Sequence, residues 1–190
     1  MGRFTGVLGL LTILGLAYLF STNRRAIKLK MVIWGVLALV AIALVALAAG
    51  QLGMFRSRVP SDLGARDGKL KPPSNTENSV SSQAGLYPEH PMRTYAEVAP
   101  IKFSDDGAAA LAKVRAIVES IHGLTIVRRE PLYLHVESTS KWFKFVDDIE
   151  FLVDEKEKLI HVRAAARVGR KDFGVNRARV EAIRARFERE

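Results

Sequence analysis

The chain has 190 residues, 29 Lys+Arg against 20 Asp+Glu, and a formal net charge of +9. It contains no cysteine, which excludes disulfides, thiolate metal sites and cysteine nucleophiles. Only four histidines are present (His90, His122, His135, His161), so no histidine-rich metal site is expected. The charge is unevenly placed. Residues 1–55 hold five basic residues and no acidic one, leaving 24 basic and 20 acidic residues in the remainder. The basic character therefore reads first as a topology signal. With no long basic block in the second part, no nucleic-acid partner is expected; no cofactor is assigned.

In chain order, two apolar runs come first, 4–20 and 31–50, neither carrying a charge. About 20 apolar residues suffice to span the roughly 30 Å hydrocarbon core of a bilayer. Residues 1–55 are thus expected to form a two-helix transmembrane hairpin, with the bilayer as partner of 4–20 and 31–50. Tyr18 and Trp34 sit near the run ends that face the connecting loop, where amphipathic rings favour the interface. That loop carries Arg24, Arg25, Lys28 and Lys30, a cluster that holds a loop in the cytoplasm. The C-terminal part then lies outside, on the periplasmic side of a bacterial inner membrane. Arg56 and Arg58 argue more weakly for the reverse. A signal peptide is the rival reading, with 31–45 as its apolar core and Ala46-Leu-Ala48 as its cleavage site; it would leave the same domain on the same side. Ala46 and Gly50 also form a small-xxx-small pair that suits close helix packing.

The stretch Gly9-Leu-Leu-Thr-Ile-Leu-Gly-Leu-Ala-Tyr-Leu-Phe-Ser-Thr-Asn-Arg-Arg-Ala-Ile27, followed by Val32-Ile-Trp-Gly35, resembles the N-terminal membrane hairpin of bacterial concentrative nucleoside transporters. The transporter's substrate-binding helices have no counterpart here. The resemblance therefore implies a membrane hairpin and leaves room for a membrane-protein partner, without implying transport.

Residues 56–78 are poor in large apolar side chains and rich in Pro, Gly, Asp, Ser and Asn, as a loop-rich linker or lead-in to the domain would be. The soluble domain is placed at 79–190. Asp105 and Asp106 suit the positive end of a helix, and Leu111, Val114, Val118 and Ile121 follow at helical spacing. Gly123 ends this helix, which runs from about 105 to 122. Strands are expected at 124–129, 132–138, 145–153 and 159–166. In the last three, apolar and polar residues alternate, as in an antiparallel sheet buried on one side. The final two strands form a hairpin across 155–158. Two registers keep its faces matched: Glu150 opposite Arg163, or Glu150 opposite His161 with Asp148 opposite Arg163. A last helix begins at Asn176 as N-cap, with Val175 and Val180 as a hydrophobic staple and Val180, Ile183 and Phe187 as the buried stripe. The fold class is α+β: two N-terminal transmembrane helices, then one antiparallel sheet of about four strands with two flanking helices.

These landmarks also resemble a bacterial family known as domain of unknown function 1499. The likeness runs from about Pro60 to Phe187. It rests on Asp62-Leu-Gly64, Asn78-Ser-Val-Ser-Ser-Gln-Ala84, Tyr133-Leu-His-Val-Glu137, Phe145-Val-Asp-Asp-Ile-Glu-Phe151, Ile160-His-Val-Arg163 and Arg167-Val-Gly-Arg-Lys-Asp-Phe-Gly-Val-Asn-Arg177. It implies a fold and no activity. The family often has two cysteines where this chain has Pro73 and Ser79; their joint loss is what pairing between them would produce.

Three candidate sites follow. The polar sheet face holds His135, Glu137, Asp148, Glu150, His161 and Arg163. It can be a shallow ligand-binding face, with Arg163 as the fork for a carboxylate or phosphate. Acid–base catalysis is a further option. The plainer alternative is a solvated face of cross-strand ion pairs, each contributing about 0.2–1 kcal/mol. The loop with Arg167, Arg170, Lys171 and Asp172 is a candidate anion site ahead of a helix, or simply a turn built on Gly169 and Gly174. Trp142 and Phe143, flanked by Lys141 and Lys144, form either an interaction tip or core packing. Ser81 and Ser82 lack a nucleophile elbow and read as loop-structural. No catalytic or metal-binding residue is assigned. The functional expectation is a membrane-anchored, non-catalytic partner- or ligand-binding module. The alternatives are an accessory subunit of a larger membrane complex and an enzyme using the polar sheet face.

Overall fold

A computed structural model describes residues 29–189. The expected first span, 4–20, and the charges at 24, 25 and 28 lie outside the described residues. Two compact units are present, Met1–Ala46 and Leu47–Glu190.

In the first unit the described part belongs to helix α1, Leu29–Gln51. Lys30–Gln51 is 22 residues long and, by length and composition, apolar enough to cross a membrane. At 1.5 Å per residue it rises about 33 Å, a bilayer core with some tilt. Side chains 30–45 are exposed. Where two spans were expected, the described residues contain one.

In the second unit the elements are β1 (Ser79–Ser81), a 3-10 turn (Ala84–Leu86), α2 (Arg93–Ala96), β2 (Ile101–Lys102), α3 (Gly107–Glu119), β3 (Leu124–Glu130), β4 (Tyr133–Thr139), β5 (Val146–Asp154), β6 (Leu159–Ala166) and α4 (Val175–Arg189). The sheet has six strands, not four. The order is β1-β6-β5-β4-β3, with β2 also pairing β6. β1 and β2 lie end to end along the outer edge of β6, opposite residues 163–165 and 159–160. They are three and two residues long, too short for any periodicity to reveal. At the opposite edge β3 carries exposed Arg128, Arg129 and Glu130 and a register shift between Ile126 and Arg128.

The first of the two hairpin registers is the one formed: Glu150 lies opposite Arg163 and His161 opposite Leu152. Asp154 fixes the turn by accepting hydrogen bonds from the N–H groups of Lys156 and Glu157. One sheet face packs Leu134, Val136, Ile149, Phe151, Ile160 and Val162 against Leu111, Val114 and Val118 of α3 and Val180, Ile183 and Phe187 of α4. Helix α3 begins where Asp106 Oδ2 accepts a hydrogen bond from Ala109 N–H at 2.8 Å, satisfying a donor its first turn leaves free.

Helix α4 is capped differently from the expectation. Asp172 accepts from Gly174 N–H and Asn176 N–H, both at 3.0 Å. Asn176 is wholly buried inside the first turn, and Val175 is exposed, so the staple with Val180 does not form. The cause is the turn before the helix: Phe173 (φ 53°) and Gly174 (φ 78°) are both left-handed, which swings the Asp172 carboxylate under the helix end.

The second sheet face was expected to meet solvent. It is covered instead. Residues 60–78 cross it, and Leu70 packs with Tyr133 and Leu152 in a small second core. The segment read as a linker is thus part of the domain's packing. Phe187 is 7 % exposed in the main core, so Phe187→Ala should lower the domain's unfolding free energy by about 3–5 kcal/mol in denaturant titration. A loss below about 1 kcal/mol would show that α4 is not docked as described.

Candidate functional site

The polar sheet face is a closed set of ion pairs. Alternation places Tyr133, His135 and Glu137 of β4, Asp148 and Glu150 of β5, and His161 and Arg163 of β6 on one side. Arg167, just past β6, turns back over them. Its Nε donates to Asp148 Oδ2 at 2.8 Å, and its Nη2 donates to Asp148 Oδ1 at 2.6 Å and to Glu137 Oε1 at 2.5 Å. His135 Nε2 donates to Asp148 Oδ1 at 2.7 Å. Beside this group, Glu150 accepts from Tyr133 Oη (2.8 Å), from Gly64 N–H (2.8 Å) and from Arg163 Nη1 (3.4 Å). Arg163 Nε reaches Pro72 O at 3.3 Å.

Glu150 is 0 % exposed, and Asp148, Arg163 and His135 are 2–3 % exposed. A charge removed from water survives only when paired and hydrogen-bonded. Burial pushes the Asp148 carboxyl up, but the hydrogen bonds from Arg167 and His135 outweigh it and hold the group below the usual range. The hydrogen bonds to Asp148 and Glu137 raise the pKa of Arg167 against its burial. Burial and the neighbouring Glu150 raise that of Tyr133, which stays a hydrogen-bond donor. Asp147, on the other face, is pushed up by burial against the pull of Arg179.

Of the residues expected to form a shallow face, all but His161 are therefore engaged in ion pairs or hydrogen bonds beneath residues 60–78. What remains open is a cavity of about 280 Å³ lined by Lys71, Ser74, Asn78, Asp148, Arg163 and Arg167. Its cations are already engaged: Lys71 lies 2.6 Å from Asp62, and both arginines hold carboxylates. Asn78 Oδ1 is buried without a hydrogen-bond partner. Ser79 Oγ accepts from Ser74 N–H at 2.8 Å, closing the loop that begins at Pro73.

His161 stands apart from this group. Its Nδ1 is 3.3 Å from Ser82 Oγ and its Nε2 is 4.0 Å from Asp154 Oδ2. The composition is that of a hydrolase triad, but the geometry is not. The 4.0 Å gap is too long for a hydrogen bond. Ser82 Oγ also accepts Val162 N–H at 2.9 Å, which locks it into the edge of β6. Burial lowers the His161 pKa, with Asp154 pulling the other way.

In the loop after β6 the helix end is already filled by Asp172, which also accepts from Tyr95 Oη at 3.1 Å. Arg167 points into the buried network, Lys171 pairs with Glu77 at 2.9 Å, and Arg170 is exposed. Phe173 is 90 % exposed.

The Trp142–Phe143 tip lies at the same end of the sheet as that loop, because β4 ends, β5 begins and β6 ends there. Trp142 and Phe143 are exposed, by 54 % and 40 %. The tip sits on the last turn of α1: Gln51 Nε2 donates to Trp142 O at 2.7 Å, and a Cβ placed on Gly50 would lie 2.5 Å from Phe143 O. Phe55 stacks on Phe145 at 5.2 Å. No periodicity in the sequence could have found this contact, since it joins residues some ninety positions apart.

The low folded-state pKa of Asp148 has a signed consequence. Its stabilisation is complete above the ordinary aspartate value of 3.8 and is lost as pH falls through the lower folded value. Asp148→Asn should therefore lower stability at neutral pH and flatten its fall in acid. Arg167→Met, which strands buried carboxylates, should cost about 3–5 kcal/mol at neutral pH. Urea titration across the acid range reads both.

Residues 8–52 match the family model described as Na+ dependent nucleoside transporter N-terminus, and these include the described part of α1. No curated protein matches the chain. The second family model covers 69–187, which takes in all six strands, α3, almost all of α4 and every side chain of the buried network. On that match the chain belongs to the family described as protein of unknown function (DUF1499).

Proposed function

We propose that this chain is a membrane-anchored, non-catalytic binding module, held by α1 in a bacterial inner membrane with its domain on the periplasmic side, and that the sheet end carrying the Trp142–Phe143 tip rests on the membrane surface. The observation that carries the reading is the docking of that tip on the last turn of α1, through Gly50 and Gln51. If α1 crosses the bilayer, its last turn is where hydrocarbon gives way to headgroups, and the tip is at that level.

The composition of this end suits it. Leu52, Met54, Trp142, Phe143 and Phe173 are exposed. Lys141, Lys144 and Arg56 stand among them. Aromatic rings with interspersed cations are what a headgroup region accommodates. The non-catalytic half of the reading is supported by the sheet face, whose acids and bases are committed to one another under a covering segment.

The match of residues 8–52 favours a second reading, an accessory subunit of a membrane complex; stable co-purification of another membrane protein in mild detergent would support it.

Two measurements test the proposal. The chain has two tryptophans, so Trp34→Phe leaves Trp142 as sole reporter. In the full chain reconstituted into vesicles, its fluorescence should be quenched by lipids labelled near the headgroup more than by lipids labelled deep in the tail. Quenching by aqueous iodide alone would put the tip in water and overturn the reading. Orientation is testable because no native cysteine interferes. A membrane-impermeant maleimide added to spheroplasts should label Glu157→Cys and spare Asn23→Cys; the opposite pattern would place the domain in the cytoplasm.

A further inference from the structure

A cavity of about 410 Å³ opens where the chain leaves α1. Gln51, Arg56, Thr125, Thr139 and Lys144 line it, and Leu52, Gly53 and Gly123 complete the wall. No carboxylate lines it. Among the described residues neither Arg56 nor Lys144 has an ion-pair partner, and residues 1–55 contain no acid that could supply one. In this respect it is the opposite of the cavity over the polar sheet face, where every cation is engaged.

We infer that this cavity binds the phosphate of an anionic phospholipid headgroup. Arg56 supplies a planar fork and Lys144 a point charge, the two modes by which proteins hold phosphate oxygens. The hydroxyls of Thr125 and Thr139 are further donors within the same wall. Two features of the backbone shape the site. Lys144 has a left-handed φ of 56°, a costly conformation for a residue with a side chain, in the turn that also presents Trp142 and Phe143. Gln51 spends its amide on Trp142 O and so ties the helix end to the turn that carries Lys144. The inference rests on the proposal that this end of the sheet lies at the membrane surface, because there a lipid phosphate is the anion at highest local concentration.

The test uses the full chain in mild detergent, mixed with equal amounts of phosphatidylglycerol and phosphatidylcholine, with retained lipid counted by native mass spectrometry. The wild type should retain several-fold more phosphatidylglycerol. Arg56→Gln/Lys144→Gln should retain the two lipids equally, whereas Arg58→Gln, outside the cavity wall, should keep the wild-type preference. An unchanged preference in the double variant would overturn the inference. So would loss of bound phosphatidylglycerol to inorganic phosphate added at equal concentration, which would mark a free-phosphate site. Trp142 quenching in the double variant, read on the Trp34→Phe background, separates the two claims: a lost lipid preference with quenching intact is the expected result, an unchanged preference with quenching intact sinks only the lipid site, and a Trp142 that reports water in the Trp34→Phe chain alone sinks both.

Discussion

Arg167 is the constraint on which the domain's second layer depends. Its guanidinium meets Asp148 through two nitrogens and Glu137 through one, and its side chain is only 4 % exposed. A face bearing three carboxylates would normally have to stay wet. With Arg167 and Arg163 laid across it, the carboxylates are neutralised in place, and residues 60–78 can pack over them. Gly64 N–H and the carbonyl of Pro72 then become part of the same network. The covering coil needs no strong secondary structure of its own, because the charges beneath it supply its partners.

This arrangement separates the domain into two chemically distinct halves. The helical side is an apolar core of the ordinary kind, tolerant of volume-conserving exchange. The coil side is specified by direction: both oxygens of Asp148 and of Glu150 and one of Glu137 have a named donor, and few substitutions preserve all of them. The non-catalytic role proposed for the sheet face draws its support from this half. Its acids and bases serve as structural counter-ions to one another.

Much of the frame was legible from periodicity. The alternation in β4, β5 and β6 gave their faces and narrowed the hairpin to two registers. The spacing of Leu111, Val114 and Val118 gave α3, and that of Val180, Ile183 and Phe187 gave the buried stripe of α4. What stayed hidden was whatever depends on contacts between distant residues. β1 and β2 exist because β6 offers an edge, not because Ser-Val-Ser or Ile-Lys favours a strand. Asp172 caps α4 only through two left-handed residues that no pattern announces. The burial of the polar face could not be foreseen either, since Glu150 and Arg163 look the same in sequence whether wet or dry. The tip on the helix end was visible only as an aromatic pair flanked by lysines.

The free edge of the sheet matters differently once the chain is tied to a surface. Anchored copies diffuse in a plane and hold their domains at one height, so edges meet far more often than in solution. A flat, apolar outer strand would then template side-by-side pairing into two-dimensional arrays. β3 carries a bulge after Ile126 and a run of Arg128, Arg129 and Glu130, and the other edge is formed by the very short strands β1 and β2. That geometry disfavours edge-to-edge pairing between copies.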